Sequence, residues 1–340
     1  MVCNEGGRNL RTHRAVHSFS VILIALAVII VHVHGATNVV IAGGWKVQSP
    51  LPQGNDLSGV WGTSGSNVVA VGASGTILHY DGGSWIAMPS GMTDTLNCVW
   101  GSSGSDVVAA GASGTILHYD GGNWIAMTSG TSQDIHGVWG ASMSDVVAVG
   151  ASGTILHYDG GNWITMTSGT TEDIHGVWGA SGSDIFAVGS GGTILHYDGG
   201  SWITMTRGTS EDIYGVWGSS GSDVFAVGAS GTILHYDGSS WVTMASGTSY
   251  SLSCIWGSSA SDVFAVGSSG TILHYDGVLD HRGDINNDGK VDLTDAILAL
   301  KVSVGMQPSA SVYTTADVDG NGEIGLAEAI YAIQAAAGFR

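Results

Sequence analysis

Positively charged residues are scarce in this sequence. Nine Lys and Arg stand against 28 Asp and Glu among 340 residues, which gives a formal net charge of −19. The segment 37–277 contains only two of these bases, Lys46 and Arg207. Proteins that bind nucleic acid use clustered Lys and Arg to neutralise phosphates. The composition therefore predicts that nucleic acid is not a partner.

Cysteine and proline are also rare. The chain has three Cys and four Pro, against 55 Gly and 12 Trp. Because Cys3 lies in an N-terminal segment that we expect to be removed, Cys98 and Cys254 are too few for a disulfide framework or a zinc site. Abundant glycine without proline or a Gly-X-Y period excludes a collagen-like chain. With so many Trp and β-branched residues, it predicts many short strands joined by tight turns.

The N-terminus has the pattern of a targeting segment. A basic stretch precedes an apolar run of about 15 residues (19–33), and His34-Gly35-Ala36 follows that run. We therefore expect a Sec signal peptide over 1–36 and a mature protein that is secreted or held at the cell surface. The run is shorter than the roughly 20 residues that span a bilayer, so we expect no membrane span after cleavage. An uncleaved anchor is the alternative.

A repeat with a period of 39 residues fills 57–277. It contains two series of Trp, and each Trp of the first series is followed by Gly. In the fourth copy the apolar runs are IHGVWG, DIFAVG, GTILHYDG and SWITM, separated by Gly, Ser and Asp. Four short runs joined by such turns predict a four-stranded antiparallel sheet. The first Trp series is Trp61, Trp100, Trp139, Trp178, Trp217 and Trp256, and the second is Trp85, Trp124, Trp163, Trp202 and Trp241.

Six such sheets predict an all-β, six-bladed β-propeller over 37–277. A period near 40 with four strands per unit is typical of propellers, whose sheets stack around an axis and cover one another's apolar faces. The sixth copy ends at Gly277 without its Trp-containing fourth strand, whereas Trp45 precedes the first copy. We expect the N-terminal strand around Trp45 to complete blade six. We also expect a monomer.

Residues that are identical in every copy are interpreted as packing and turn residues. The two Trp series are expected to fill the space between blades. The His of the third strand (His79 and its equivalents) is expected to bond within its own hairpin, and the Asp at the start of the second strand (Asp106 and its equivalents) to cap the preceding turn. Cys98 and Cys254 hold equivalent positions in blades that are not neighbours, which predicts two free thiols.

Positions that vary between copies are the candidates for ligand binding. Three residues before each Trp of the first series, the side chains change from blade to blade, at the start of the strand expected to line the central channel. A ring of mixed polar groups at one mouth of the channel is a plausible ligand surface. Neutral drift after duplication is the alternative. The candidate ligand residues are Asn97, His136, His175 and Tyr214, with Ser58 and Ser253 at the same position in the remaining blades.

Two carboxylate-rich loops lie in the C-terminal segment 284–340, which follows a linker at 278–283. Both have oxygen-bearing residues at the spacing of the twelve-residue calcium loop of EF-hands, with Gly at position 6 and a backbone carbonyl used at position 7. Each is followed by one amphipathic helix, expected over 293–304 and 326–337. The sequence thus predicts two Ca²⁺ sites. Their expected ligands are Asp284, Asn286, Asp288, Lys290, Asp292 and Asp295 in the first loop and Asp317, Asp319, Asn321, Glu323 and Glu328 in the second.

Both parts of the chain resemble known families. The unit VWG…DVFAVG…GTILHYDG…W resembles the Trp-Gly repeats of secreted bacterial propellers related to sialidase-like and photosystem-assembly-factor propellers. A sialidase activity is excluded by inventory, because too few arginines are present to clamp a carboxylate. The order loop, helix, linker, loop, helix resembles a type I dockerin, which implies calcium-dependent docking onto a cohesin domain. Loop positions 10 and 11, often Ser-Thr in that family, are here Leu293-Thr294 and Leu326-Ala327.

These features favour a binding protein over an enzyme. No nucleophile–base pair, paired-carboxylate motif or cofactor fingerprint stands out in the sequence, so we expect no catalysis. The leading hypothesis is a secreted, calcium-binding scaffold whose propeller offers a binding surface and whose tail attaches to a protein partner. One alternative is a lectin-like propeller that binds carbohydrate by stacking sugars on exposed Trp. Another is a polysaccharide hydrolase that uses Asp or Glu at the channel mouth, such as Glu172 or Glu211.

Overall fold

The structure is a computed structural model that describes residues 54–206, 208–277, 284–286, 291–307, 311–313, 316–319 and 323–336. The chain divides into two compact units, Met1–Tyr275 and Asp276–Arg340. Among the described residues, the first unit consists of strands joined by short turns, and the second contains two helices.

The first unit repeats one order of strands six times. The first strands are β1 (Leu57–Ser64), β5 (Leu96–Ser103), β9 (Ile135–Ser142), β13 (Ile174–Ser181), β17 (Ile213–Ser220) and β21 (Leu252–Ser259). The second strands are β2 (Asn67–Gly72), β6 (Asp106–Gly111), β10 (Asp145–Gly150), β14 (Asp184–Gly189), β18 (Asp223–Gly228) and β22 (Asp262–Gly267). The third strands are β3 (Thr76–Tyr80), β7 (Ile116–Tyr119), β11 (Ile155–Tyr158), β15 (Ile194–Tyr197), β19 (Ile233–Tyr236) and β23 (Ile272–Tyr275). The fourth strands are β4 (Trp85–Met88), β8 (Trp124–Met127), β12 (Trp163–Met166), β16 (Trp202–Thr204) and β20 (Trp241–Met244).

Strands of one repeat pair antiparallel in chain order. They give five four-stranded sheets and, among the described residues, one three-stranded sheet of β21, β22 and β23. We call these sheets blades one to six. First strands of consecutive blades lie side by side, and Trp side chains from all six blades line one cavity of about 250 Å³. The blades therefore surround a central channel, and the predicted propeller fold is confirmed.

Hydrophobic side chains pack between neighbouring blades. We call the side of a blade turned to the next blade its forward face and the opposite side its rear face. In blade one, Val69, Val71 and Ile77 of the forward face pack on Leu96 and Val107 of the rear face of blade two. Blades two to six pack in the same way. Burial of these paired faces supplies the main stabilising free energy of the unit.

The forward face of blade six is more open than its equivalents. Ile272 in β23 is 70% exposed, whereas Ile116, Ile155 and Ile194 at the same repeat position are fully buried. Among the described residues, no hydrophobic cluster joins blade six to blade one. The strand around Trp45 that is expected to complete blade six lies outside the described residues, so this closure remains a prediction.

The two cysteines of the propeller differ in state. Cys98 is a buried free thiol, as predicted, and burial raises its pKa to about 12. Cys254 is disulfide-bonded, so the prediction of a free thiol is wrong at this position. The prediction weighed only a bridge between Cys98 and Cys254.

The second unit contains helices α1 (Leu293–Ser303) and α2 (Leu326–Ala336), each starting at its predicted residue. Asp292 begins α1 as an N-cap, because its side chain accepts a hydrogen bond from the N–H of Thr294 at 2.6 Å. The helices enclose a small core that includes Leu298 and Ala299 of α1 and Ala329 of α2. So small a core depends on further stabilisation, such as a bound metal.

Candidate functional site

Carboxylate oxygens converge in the second loop of the C-terminal unit. Asp317, Asp319 and Glu328 each offer an oxygen atom, and these three atoms lie within 4.8 Å of one another. Glu328 is fully buried. Its Oε1 accepts a hydrogen bond from the N–H of Val318 at 3.0 Å, and its Oε2 accepts one from the N–H of Gly325 at 2.7 Å. The first turn of α2 thus holds this carboxylate against both ends of the loop.

The first loop is built on the same plan. Asp295 takes the place of Glu328 and is also fully buried. Its Oδ1 accepts hydrogen bonds from the N–H of Ile285 at 2.8 Å and of Asn286 at 3.2 Å, and its Oδ2 accepts one from the N–H of Asp292 at 2.9 Å. Asp284, at the first loop position, is buried as well. In both loops the residue at position 12 closes the loop through backbone N–H groups.

This donor set fits calcium. Ca²⁺ takes six to eight oxygen ligands at about 2.3–2.6 Å, so oxygens around one ion lie at most about 5 Å apart, as the three carboxylate oxygens of the second loop do. Buried carboxylates are also costly unless a cation balances them. Of the predicted ligands, Asp288, Lys290 and Asn321 lie outside the described residues. Asp292 additionally caps α1, a role that the sequence analysis did not foresee.

Apolar side chains are exposed along both helices. On α1 they recur at the helical spacing of one face, and the same holds on α2. Leu293 is 60% exposed and Leu326 is 61% exposed, and these two residues hold equivalent positions at the start of their helices. Exposed apolar patches of this kind mark interaction surfaces. The two stripes consist of Leu293, Ile297 and Leu300 on α1 with Val304 at its C-cap, and of Leu326, Ile330 and Ile333 on α2.

Three of the four candidate ligand residues of the propeller form a row across the starts of the first strands β9, β13 and β17. The ring centroids of His136 and His175 lie 5.7 Å apart, and those of His175 and Tyr214 also lie 5.7 Å apart. Asn97 lies in the blade before them and donates a hydrogen bond from Nδ2 to the carbonyl oxygen of Ile135 at 2.9 Å. The ring-forming side chains come from blades three, four and five. The repeat therefore brings residues that are 39 positions apart in sequence into direct contact.

His175 is the most buried member of this row, with 7% of its surface exposed. Its Nε2 lies 3.0 Å from Oγ of Ser190, and its Nδ1 has no hydrogen-bond partner among the described residues. Burial lowers the pKa of His175, and the neighbouring His136 lowers it further. Asp173 and Asp212 act in the opposite direction, but the neutral imidazole is favoured overall.

The carboxylates proposed for hydrolysis occupy exposed turns. Glu172 and Glu211 are both exposed, and Oε2 of Glu211 accepts a hydrogen bond from Oγ of Ser230 at 3.0 Å. Each backbone N–H donates to the hydroxyl of the Thr two residues earlier. This geometry is that of a turn and does not by itself indicate a general acid or base.

Sequence reasoning missed one repeated pair of side chains. It expected the His of the third strand to bond within its own hairpin, which is confirmed, but it did not identify the Asp at the start of the second strand as the partner. That Asp also accepts a hydrogen bond within the preceding turn, as Oδ2 of Asp106 does from Oγ of Ser102 at 2.7 Å. The distance from His Nε2 to Asp Oδ1 is 2.6–2.8 Å in five blades, and Asn67 replaces the Asp in blade one. The pairs are His118–Asp106, His157–Asp145, His196–Asp184, His235–Asp223 and His274–Asp262.

Residues 282–327 match the Dockerin type I domain family. The match spans the first calcium-type loop, the whole of α1 and the second loop up to the residue before Glu328. It indicates calcium binding and attachment to a protein. No curated protein matches this sequence. Among the described residues, neither helix has the length and apolar character that crossing a bilayer requires.

Solved structures resemble the propeller in fold. One, titled "YCF48 bound to D1 peptide", has 19% identity and a TM-score of 0.53 over 65% of this chain and 77% of that chain. YCF48 from Cyanidioschyzon merolae has 18% identity and a TM-score of 0.55 over 68% and 85%. The RRP9 WD40 repeats have 11% identity and a TM-score of 0.57 over 65% and 76%. At identities this low, the structural similarity establishes the propeller architecture only. Function has to be argued from the residues of this chain.

Proposed function

We propose that this protein is a secreted, calcium-dependent attachment protein. Its C-terminal unit binds a cohesin-type domain on a partner protein, and its propeller is the binding surface that this attachment brings to the partner. The observation that carries the proposal is the match of residues 282–327 to the dockerin family together with the converging oxygens of Asp317, Asp319 and Glu328. Calcium folds both loops, and the folded loops position α1 and α2.

The exposed stripes of α1 and α2 are the proposed contact surface. Leu293 and Leu326 hold the positions that are often polar in the dockerin family, so the matching surface of the partner is apolar at these points. Each residue is about 60% exposed, and covering the exposed part contributes favourable free energy of about 1–2 kcal/mol. The proposed attachment therefore depends on apolar contact.

The experiment is a binding assay of the full chain against a panel of immobilised cohesin domains. It is run once with calcium and once with a chelator. We expect binding to at least one domain in calcium and none in chelator. The double variant Leu293→Asp, Leu326→Asp should lose that binding but still bind calcium, because Asp is well tolerated in the first turn of a helix.

The matched control is Ile164→Asp in β12 of the propeller. Ile164 is exposed to a similar extent, so the control introduces the same charge on an exposed apolar residue of the other unit. It should bind as the unchanged protein does. Equal binding by all three proteins, or binding that persists in chelator, would contradict the proposed attachment.

Carbohydrate binding by the propeller is the second candidate function. The observation that favours it is Trp256, which is 40% exposed and lies on the cavity lined by all six Trp of the first series. A sugar ring can stack on an exposed indole. Glycan-array binding that persists in chelator and is lost in Trp256→Ala would support this function. Absence of any glycan signal would contradict it.

A further inference from the structure

The row of His136, His175 and Tyr214 contains imidazole nitrogens that could bind a ligand, and the proposed attachment does not involve them. Each of the two imidazoles is held by a hydrogen bond through one ring nitrogen. Nδ1 of His136 lies 3.1 Å from the carbonyl oxygen of Ile174 in the next blade. A carbonyl oxygen can only accept, so Nδ1 of His136 carries the proton and Nε2 keeps its lone pair.

His175 offers a second nitrogen. Its Nε2 is engaged with Oγ of Ser190 at 3.0 Å, while its buried Nδ1 has no hydrogen-bond partner in the described part of the chain. Buried polar atoms are nearly always paired, and an exception in a native structure calls for an explanation such as an ion. The depressed pKa of His175 is consistent with a neutral ring whose lone pair is available.

Two carboxylates near His175 attract a positive charge, although burial outweighs them for the imidazole itself. Asp173 and Asp212 both interact with its ring electrostatically. Oδ1 of Asp173 is fixed by the N–H of Ser152 at 2.8 Å, and Oδ1 of Asp212 by the N–H of Gly191 at 2.9 Å. These carboxylates are therefore held near the row by the backbone. A cation at the row gains from their field, whereas a neutral sugar does not.

We propose that His136 and His175 bind a divalent transition-metal ion at the starts of β9 and β13, with Cu²⁺ bound more tightly than Zn²⁺. Histidine ligands of metals usually donate their other ring N–H to a carbonyl or a similar group, as His136 does. Imidazole nitrogens suit Cu²⁺, Ni²⁺ and Zn²⁺, and Cu²⁺ forms the strongest complexes of these. Two imidazoles whose nitrogens lie about 2 Å from one ion have centroids roughly 4.5–6.3 Å apart, depending on the angle between the two metal–nitrogen bonds. The observed separation of 5.7 Å lies within this range.

The test is a Cu²⁺ titration of the untagged full chain, with calcium present in excess so that the C-terminal loops are occupied. Binding is followed by competition with a chromogenic chelator, and the bound Cu²⁺ is examined by electron paramagnetic resonance. We expect a tight site whose spectrum shows coupling to two imidazole nitrogens. A parallel Zn²⁺ titration should compete for the same site with lower affinity.

The sequence supplies matched variants. His136→Asn keeps a donor to the carbonyl of the next blade, as Asn97 has at Ile135, but removes the free nitrogen lone pair. His175→Ser introduces the side chain that blades one and six carry at this position. We expect each variant to weaken the site at least about ten-fold, and the double variant to lose one equivalent of Cu²⁺.

The control is His196→Asn. His196 lies on a third strand and is paired with Asp184 of the neighbouring second strand. This variant should leave the tight site unchanged. Circular dichroism identifies a variant that has failed to fold, and His136→Asn alone then remains decisive because it keeps the hydrogen bond. Equal Cu²⁺ affinity in the double variant, or loss of the site only in His196→Asn, would overturn the proposal.

Discussion

The indole of Trp100 lies against Gly140, the residue that follows Trp139 in the next blade. A Cβ added to Gly140 would lie 2.6 Å from Cη2 of Trp100, which is closer than a real contact allows. The Trp-Gly dipeptide in each of blades two to five thus sends an indole forward and receives one on its glycine from the blade before. The same relation joins Trp61 to Gly101, Trp139 to Gly179, Trp178 to Gly218 and Trp217 to Gly257.

A side chain at Gly140 should therefore destabilise the propeller. Gly140→Ala places a methyl group against the indole of Trp100, and both are held by strands of rigid blades. We expect a loss of about 1–3 kcal/mol in the free energy of unfolding, as for other overpacked sites. Urea denaturation followed by Trp fluorescence measures this loss.

Gly65→Ala is the control for this prediction. Gly65 lies in the turn between β1 and β2, and a Cβ added there meets no atom within 4 Å. Its free energy of unfolding should stay within about 0.5 kcal/mol of the unchanged protein. Equal stability of the two variants would contradict the contact between Trp100 and Gly140.

Trp256, at the end of this series, should contribute less to the stability of the propeller than the Trp residues within the series. Trp178 is 8% exposed and covers Gly218, whereas Trp256 is 40% exposed. We expect Trp178→Ala to cost about 3–5 kcal/mol of unfolding free energy and Trp256→Ala to cost clearly less. Similar costs in urea denaturation would show that Trp256 is covered in solution as completely as Trp178.

Acid should weaken the propeller through its turn aspartates. Hydrogen bonds from the Ser239 side chain and from the Ser240 and Ser239 backbone lower the pKa of Asp237 to about 2. Backbone hydrogen bonds also lower the pKa of the equivalent Asp81, Asp120, Asp159 and Asp198. A lowered native pKa stabilises the fold above the unfolded pKa of about 3.9. This contribution is lost as the pH falls from about 4 towards 2.

Two variants isolate the contribution of Asp237. Asp237→Asn should reduce the dependence of unfolding free energy on pH between pH 4 and pH 2. Ser239→Gly removes the hydroxyl donor and gives the turn the residue found at Gly200 in blade four, so its effect should be intermediate. If the unfolding free energy falls equally between pH 4 and pH 2 in all three proteins, the turn is not formed as described.

The propeller could be predicted from the sequence because its signal is repeated. Equivalent residues of the six copies lie at the same level along the propeller axis. The proximity of His136 and His175 therefore followed from their spacing of one repeat once the fold was assigned. The C-terminal loops could be predicted equally well, since the position of each oxygen ligand is fixed by a twelve-residue pattern.

Contacts that depend on more than one strand were harder to predict. The pairing of His157 with Asp145 requires the register of two neighbouring strands, although their constant separation in five blades was a usable signal. The open forward face of blade six was not predicted, because the residues of that face are nearly the same in every copy of the repeat. The missing fourth strand of the sixth copy predicted only that the strand around Trp45 completes blade six. The bonded state of Cys254 was missed because only Cys98 was weighed as its partner.

The most direct test of the account is a calcium titration that observes the two units separately. All 12 Trp precede the C-terminal unit, so Trp fluorescence reports on the propeller. The two described α-helices, α1 and α2, both lie in the C-terminal unit, so the helical circular dichroism signal reports on that unit. We expect a chelator to reduce the helical circular dichroism signal while Trp emission stays constant, because calcium folds only the C-terminal loops.

Two variants sharpen this measurement. Glu328→Gln should weaken calcium binding about ten-fold or more, because its buried carboxylate lies with Asp317 and Asp319. Glu323→Gln should bind calcium as the unchanged protein does, since loop position 7 uses its backbone carbonyl. The predicted result is that the unchanged protein and Glu323→Gln lose helix in chelator and regain it at the same calcium concentration, whereas Glu328→Gln needs more calcium. A helical signal that is indifferent to chelator, or equal calcium affinity in all three proteins, would contradict the account.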